Sequence, residues 1–151
     1  LRYFNVFGKR QSKEYAGVIK LFLDQIKNKQ SPMINGDGTQ FRDFVHVSDV
    51  VNANILSMNS EVKHAFYNVG TNSSITILDL AKSIIRSSGL ELEPKFRDAL
   101  EGDVDKTLSD ISLIQKEIQW KPTILLEDWL KMIITAGIMV LVLLELVCYL
   151  V

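Results

Sequence analysis

An α/β architecture, with crossover helices packed on a sheet, is the fold class that this sequence predicts. Three observations lead to it. Short apolar runs close on glycine, longer segments between them repeat apolar residues every three or four positions, and residues that cap helices stand where those segments open. The 151 residues are 47% hydrophobic and 23% charged, the balance of a globular domain, or part of one, rather than of a disordered or disulfide-rich chain.

Leu1 to Phe7 alternates aromatic and aliphatic residues and closes on Gly8, which predicts a buried strand followed by a loop. Glu14 to Lys29 places Tyr15, Val18, Ile19, Phe22, Leu23 and Ile26 on one helical face, and Ser31-Pro32 stops that helix. Met33-Ile34 is a short strand, after which Asn35-Gly36-Asp37-Gly38 supplies two glycines for a tight turn with positive φ. Phe44 to Val47 is the next strand. Ser48 and Asp49 are suited to cap a helix running to about Met58, with Val51, Ile55 and Met58 sharing a face. Ala65 to Gly70 is another short strand.

Thr76-Ile77-Leu78-Asp79 has the form of a capping box, opening a helix with Leu80, Ile84 and Ile85 inward and Gly89 just past its end. Leu92 to Phe96 reads as a strand and Arg97 to Thr107 as a mixed loop. Ser109-Asp110 is placed to cap a helix to about Ile118, which Lys121-Pro122 ends, and Leu126 to Ile134 reads as a last helix. No internal repeat or low-complexity linker interrupts the pattern.

The tail, Ile133 to Val151, holds 19 residues with Glu145 as its only charged side chain. At about 1.5 Å per residue it approaches the roughly 30 Å of a bilayer core, so a membrane helix is one reading. Glu145 and the absence of a polar flank after Val151 oppose it, and favour a buried or subunit-contact helix or an altered reading frame.

A net charge of -1 gives no general attraction to nucleic acid or anionic lipid, so an anion has to be held by a few placed groups. One cysteine, Cys148, excludes an internal disulfide; with only His46 and His64 beside it, no Cys/His metal site is expected, and a reducing, cytoplasmic compartment is. The chain opens on Leu1, inside an apolar run, from which a missing N-terminal part is expected, and its first residues have no signal-peptide pattern. His46 reads as a packed, hydrogen-bonded side chain and His64 as exposed, Trp120 and Trp129 as core or interface anchors, and Lys9-Arg10 as solvated.

Arg42 stands between the glycine turn and an apolar strand. A guanidinium is a planar fork of donors suited to phosphate oxygens, and its charge does not titrate away. The plainer alternative is a surface pair with Asp43 or Asp37. Asn5 has a plainer alternative too, as a turn residue closing its strand.

Tyr3-Phe4-Asn5, the Gly-Asp-Gly turn before Arg42-Asp43-Phe44, Asn68-Val69-Gly70 and Glu101-Gly102-Asp103 share one explanation. The ordered blocks LRYFNVFGKRQ, EYAGVIKLFLDQI, INGDGTQFRDFVHVSDVVNAN, FYNVGTNSSITILDLA and EGDVDKTLSDISLIQKEIQWKP resemble the C-terminal half of NAD-dependent nucleotide-sugar epimerases of the extended short-chain dehydrogenase family. The UDP-glucose and UDP-N-acetylglucosamine 4-epimerases are the nearest group. The resemblance implies that residues 1–131 form the end of a Rossmann sheet plus the smaller substrate-binding domain, followed by an apolar helix in a tail, 132–151, without a counterpart.

Further expectations follow from the same resemblance. NAD is the family's cofactor, a UDP-sugar its substrate and a homodimer its assembly. Phe4 would meet the cofactor through its backbone, and Asn5 would donate its amide to the diphosphate or sugar. Val18, Met33, Ile34 and Asn35 would line the uridine pocket, Arg42 would grip the diphosphate with Phe44 beside it, and Asp103 would take the ribose hydroxyls. An aspartate accepts from two vicinal hydroxyls without any shifted pKa, so the residue type suits the task.

There are departures from the family pattern. Lys9 and Lys20 stand where proline is common, and Leu100 where a second diphosphate-binding arginine is common; Arg97, three residues upstream, is a possible replacement. No Gly-x-x-Gly-x-x-Gly loop and no Tyr-x-x-x-Lys pair occur. In the family the tyrosine removes the sugar hydroxyl proton, helped by the lysine, while NAD takes and returns hydride. No catalytic residue is therefore assigned here. The expectation is a UDP-hexose 4-epimerase fragment that binds the nucleotide sugar and is inactive alone. The alternatives are a nucleotide-sugar dehydratase or decarboxylase fragment, or a non-catalytic, membrane-tethered nucleotide-sugar-binding module.

Overall fold

Parallel strand pairs joined by helices make up the structure, a computed structural model that describes residues 1–9, 11 and 17–149, with side chains as far as 137. The elements in chain order are β1 (Arg2–Tyr3), β2 (Asn5–Phe7), α1 (Val18–Lys27), β3 (Met33–Asn35), β4 (Phe41–Arg42), β5 (Phe44–His46), α2 (Val47–Asn59), β6 (Asn68–Val69), β7 (Ile75–Thr76), α3 (Ile77–Ser88), β8 (Lys95–Arg97), α4 (Ser112–Ile118) and α5 (Leu126–Tyr149). β1 pairs with β6, β2 with β5 and β3 with β8, all parallel, whereas β4 and β7 are antiparallel.

The β2–β5 pair separates two cores, because successive side chains of a strand point to opposite faces. Phe7 and Phe44 join Phe22, Leu80, Ile84 and Trp129 on one side; Val6 and Val45 join Val69, Ile114 and Trp120 on the other. Trp129 and Trp120 are thus both core residues. Trp120 also donates its indole N–H to the Asp49 carbonyl at 3.0 Å.

The expected strand Leu1 to Phe7 is broken at Phe4, where the chain changes partner: the Phe4 N–H donates to the Val69 carbonyl and the Asn5 N–H to the Asp43 carbonyl. α1 ends at Lys27, with Lys29 already at φ 53, and the start expected at Glu14 lies outside the described residues. α2 is capped not by Ser48 or Asp49 but by His46, whose Nδ1 accepts from the Ser48 N–H at 3.2 Å. Asp49 is instead turned inward, accepting from both Thr123 donors and from the Ile124 N–H. The strand expected at Leu92 to Phe96 forms at Lys95–Arg97, and the one expected at Ala65 to Gly70 shrinks to Asn68–Val69. α4 stops at Gln119, in the left-handed conformation, before Lys121-Pro122 is reached.

α2 carries two apolar stripes. Val50 and Ala53 are buried, while the stripe singled out from sequence, Val51, Ile55 and Met58, faces solvent, Met58 being 84% exposed. Both have helical spacing, so periodicity alone does not say which one is covered. α3 matches expectation closely: the Thr76 hydroxyl accepts from the Asp79 N–H, Leu80, Ile84 and Ile85 are buried, and Gly89 closes the helix at φ 68. α5 runs on from the expected Leu126 to Ile134; the side chains of the tail beyond 137 lie outside the described residues. Among the described residues no helix is long and apolar enough to cross a membrane.

One buried carboxylate ties the loops together. Asp43 accepts from the N–H and hydroxyl of Thr71, from the Asn72 N–H, and from the N–H and hydroxyl of Ser109, at 2.5 to 3.1 Å. Gly70 permits this closeness, since a Cβ there would lie 2.7 Å from the Ser109 Cβ and 2.9 Å from an Asp43 oxygen. Asp43→Ala strands those donors in the interior and is expected to lower stability on the order of 3 kcal/mol, read as a reduced urea midpoint.

His46 packs edge-on against Phe7, with Trp129 at 6.0 Å, and burial holds its imidazole below the ordinary value of 6.5, with the Asp49 carboxylate pulling the other way. The unfolded chain then binds more protons between the two values. His46's contribution is full above about pH 6.5 and fades as pH falls through the folded value. The thermal midpoint is expected to drop between about pH 7 and about pH 5, and His46→Asn, which keeps a capping oxygen but does not titrate, should flatten that drop.

Candidate functional site

The site is built around the turn before β4. Gly36 and Gly38 adopt φ 71 and 80, and Asp37 accepts from the N–H and hydroxyl of Thr39, which holds its carboxyl below the ordinary carboxylate value. Gln40 closes the turn by donating to the Asn35 carbonyl at 2.8 Å, and the Ile77 and Leu78 N–H groups bond the carbonyls of Gln40 and Gly38. β4 is thereby fixed against β7 and the start of α3. Residues 42 and 43 then diverge: Asp43 is drawn into its buried cluster and Arg42 into a cleft.

That cleft encloses about 430 Å³. One wall is α1 with Val18, Ile19 and Phe22; another is β3, where Met33, Ile34 and Asn35 lie; Phe7, Phe44 and Ile77 supply further apolar surface. Its charged lining consists of Arg42, Arg97 and Asp103, beside the neutral polar groups of Asn5, Asn35 and Gln40. Apolar walls with a few convergent polar groups are the usual make-up of a small-molecule site.

Arg42 Nη2 donates to Asp103 Oδ1 at 2.5 Å, and Nη1 to the Phe41 carbonyl at 3.0 Å. The pair is partly exposed, Arg42's side chain to 11% and Asp103's to 38%. The partner expected in the plainer reading, Asp43 or Asp37, is not the one found. Asp103 reaches across on a turn closed by its own N–H to the Leu100 carbonyl, with Gly102 at φ 79.

Asn5 differs in detail from its expected behaviour. Its amide donates to the Asp43 carbonyl at 2.8 Å and to the Thr107 hydroxyl at 3.1 Å, which leaves its Oδ1 as the group without a bond among the described residues. Both Asn5 and Thr107 therefore brace the strand that carries Arg42, and the Asp43 N–H adds a third bond to Thr107. Nothing near Thr107 in sequence announces this, as its partners are distant in the chain. Arg97 Nε donates to Asn35 Oδ1, and Leu100 lies nearby in the lining.

Of the sequence-predicted residues, the fold brings Asn5, Val18, Met33, Ile34, Asn35, Arg42, Phe44 and Asp103 to this one cleft. Phe4 is not in its lining, and with its N–H taken by Val69 only the Phe4 carbonyl is left for a backbone contact.

Comparison with known proteins gives a consistent picture. The sequence profile described as "NAD dependent epimerase/dehydratase family" matches residues 1–70. A putative UDP-glucose 4-epimerase of Methanocaldococcus jannaschii is 38% identical over 135 residues, 89% of this chain and 43% of that protein. The crystal structure of the Thermotoga maritima UDP-glucose 4-epimerase with UDP-glucose superposes with a TM-score of 0.85 at 33% identity, covering 93% of this chain and 45% of that one. A UDP-N-acetylglucosamine 4-epimerase of Methanobrevibacter ruminantium, in complex with UDP-N-acetylmuramic acid, gives 0.80 at 40% identity over 86% and 42%. The chain spans less than half the length of each.

A partly exposed ion pair contributes little to stability. Asp103→Asn is accordingly expected to shift unfolding by no more than about 0.5 kcal/mol in a urea titration, in contrast to the buried Asp43.

Proposed function

This chain belongs to the NAD dependent epimerase/dehydratase family, a family that uses NAD, and on that premise we propose that residues 1–131 are the substrate-binding portion of a UDP-hexose 4-epimerase. The observation that carries the reading is the convergence of Arg42, Asn5 and Asp103 on a cleft whose remaining walls are largely apolar. In this reading the base lies between Val18 and the Met33–Asn35 strand. The diphosphate meets the Arg42 guanidinium, with Phe44 shielding that contact from water. Asp103 keeps its second oxygen for the ribose hydroxyls, and Asn5 offers its Oδ1. Exclusion of water strengthens each charged contact.

In this reading the described residues are given no dinucleotide-binding role. Among the described residues no glycine-rich turn joins a strand directly to a helix, the Phe4 N–H is spent on Val69, and the sequence has no Tyr-x-x-x-Lys pair. The role assigned to these residues is to bind and orient the nucleotide sugar.

Calorimetric titration with UDP-glucose and with UDP tests the reading. Both are expected to bind the 151-residue chain and to raise its thermal midpoint, and Arg42→Ala should weaken them by about tenfold or more, the loss of a charge-assisted hydrogen bond. Absence of binding overturns the proposal. No interconversion of UDP-glucose and UDP-galactose is expected from this polypeptide even with added NAD, and turnover would refute its assignment as a binding portion.

A further inference from the structure

Asn35-Gly36 is the one place in the sequence where glycine follows asparagine. The turn before β4 creates it: Gly36 sits at φ 71, a left-handed conformation that L side chains rarely adopt, so glycine is the residue suited to follow Asn35. With no side chain on its Cα, the Gly36 nitrogen is unshielded toward the neighbouring carboxamide. That is the setting in which an asparagine cyclises onto its own backbone.

Burial does not protect the pair. β8 is exposed along its length and Asn35 and Gly36 are only half-buried, so water reaches them. Two bonds from Arg97 hold them instead. Its carbonyl accepts from the Gly36 N–H at 2.9 Å, and its Nε donates to Asn35 Oδ1; the two residues are register partners in the parallel β3–β8 ladder. From the other edge, Gln40 donates to the Asn35 carbonyl at 2.8 Å and fixes the peptide plane between 35 and 36. Cyclisation requires the reverse: Asn35 leaves its extended ψ, that plane turns, and Cγ swings to the Gly36 nitrogen. Each movement breaks one of these bonds. A partly exposed hydrogen bond adds little to global stability, but it decides how often such a local opening occurs.

We infer that Asn35-Gly36 is a deamidation site held closed by Arg97, which acts as a positioning residue through its carbonyl and its side chain. In the reaction the Gly36 nitrogen gives up its proton and bonds Asn35 Cγ, the Cγ–Nδ2 bond breaks, and ammonia leaves with that proton. The succinimide ring then takes up one water and opens at either carbonyl, giving aspartate or isoaspartate; nothing is oxidised or reduced. Either product sets a carboxylate beside the Arg97 guanidinium, so the lining formed by Arg42, Arg97 and Asp103 loses its excess positive charge. Isoaspartate also lengthens the main chain of β3 by one methylene, at the turn that leads to Arg42. The site exists whether or not the cleft receives a nucleotide sugar.

The test is incubation of the full 151-residue chain at mildly alkaline pH, in native buffer and in denaturing guanidinium chloride, for the parent, Arg97→Ala and Arg97→Lys. Peptide mass spectrometry follows exchange of ammonia for water at Asn35, and enzymatic methylation follows isoaspartate. In denaturant Asn35 is expected to react faster than Asn59, which precedes Ser60 and serves as the internal reference. In native buffer the parent should react at Asn35 at least about tenfold more slowly than in denaturant. Arg97→Ala should restore about tenfold of that rate or more, the effect of losing a hydrogen bond to a charged group, and Arg97→Lys, which has no Nε donor in that position, should also react faster than the parent. Arg97→Lys carries the comparison if Arg97→Ala shows no thermal transition. Equal parent rates in buffer and denaturant overturn the lock, and this arm needs no variant to fold. Asn59 outpacing Asn35 in denaturant overturns the site itself. Folded variants that react no faster than the parent overturn the role of the Arg97 side chain. Binding of UDP is measured separately, so this inference and the nucleotide-sugar reading fail independently.

Discussion

A single carboxylate with no access to solvent organises this molecule. Burying an ionised aspartate is costly unless its oxygens are satisfied, and Asp43 meets that condition with donors drawn from Thr71, Asn72 and Ser109. Those donors come from loops far apart in the chain, so satisfying the charge forces the loops together. Its backbone serves the same end: the Asp43 carbonyl receives the Asn5 amide, and its N–H reaches the Thr107 hydroxyl. One residue thus fixes the ends of β1 and β2, the β6 loop and the approach to α4 relative to one another.

The placement of Arg42 is a corollary. Strand alternation turns residue 42 away from residue 43, so a deeply anchored Asp43 points its neighbour into the cleft. The chain has a net charge of only -1, so what the cleft offers an anion is local: two guanidinium groups and their partners. Neither arginine is explained by stability. The Arg42–Asp103 pair is partly exposed, and Arg97 rests on a neutral amide. Charged groups that contribute little to folding yet stand on apolar walls are what a ligand site looks like before its ligand arrives.

How much of this could be read from residues alone depended on whether the cause was local. Thr76 with Asp79 at one end and Gly89 at the other announce α3, because caps are decided within one turn of helix. The Gly36-Asp37-Gly38 turn is equally plain, as its φ values exclude most other residues. α2 shows the limit: two stripes satisfy the same period, and what selects Val50 and Ala53 is the packing of Trp120 and Ile114, supplied from far along the chain. Asp49 shows the same limit. Its type fits a helix start, but its partners, Thr123 and Ile124, are distant in sequence. In the cleft, Arg42 stands out by residue type and Asp103 through the family resemblance, while their mutual contact, and the use of Asn5 as a brace, belong to the tertiary fold.

The strand pairings carry a consequence for how the molecule assembles. Arg2 sits beside Asn68, Asn5 beside Phe44, Met33 beside Lys95 and Phe41 beside Thr76, so among the described residues no ladder joins neighbouring segments. Each requires closing a long loop before its hydrogen bonds return any energy, and such topologies fold slowly. The cleft, assembled from β3, β4, β8 and the turn bearing Asp103, exists only once those long loops have closed.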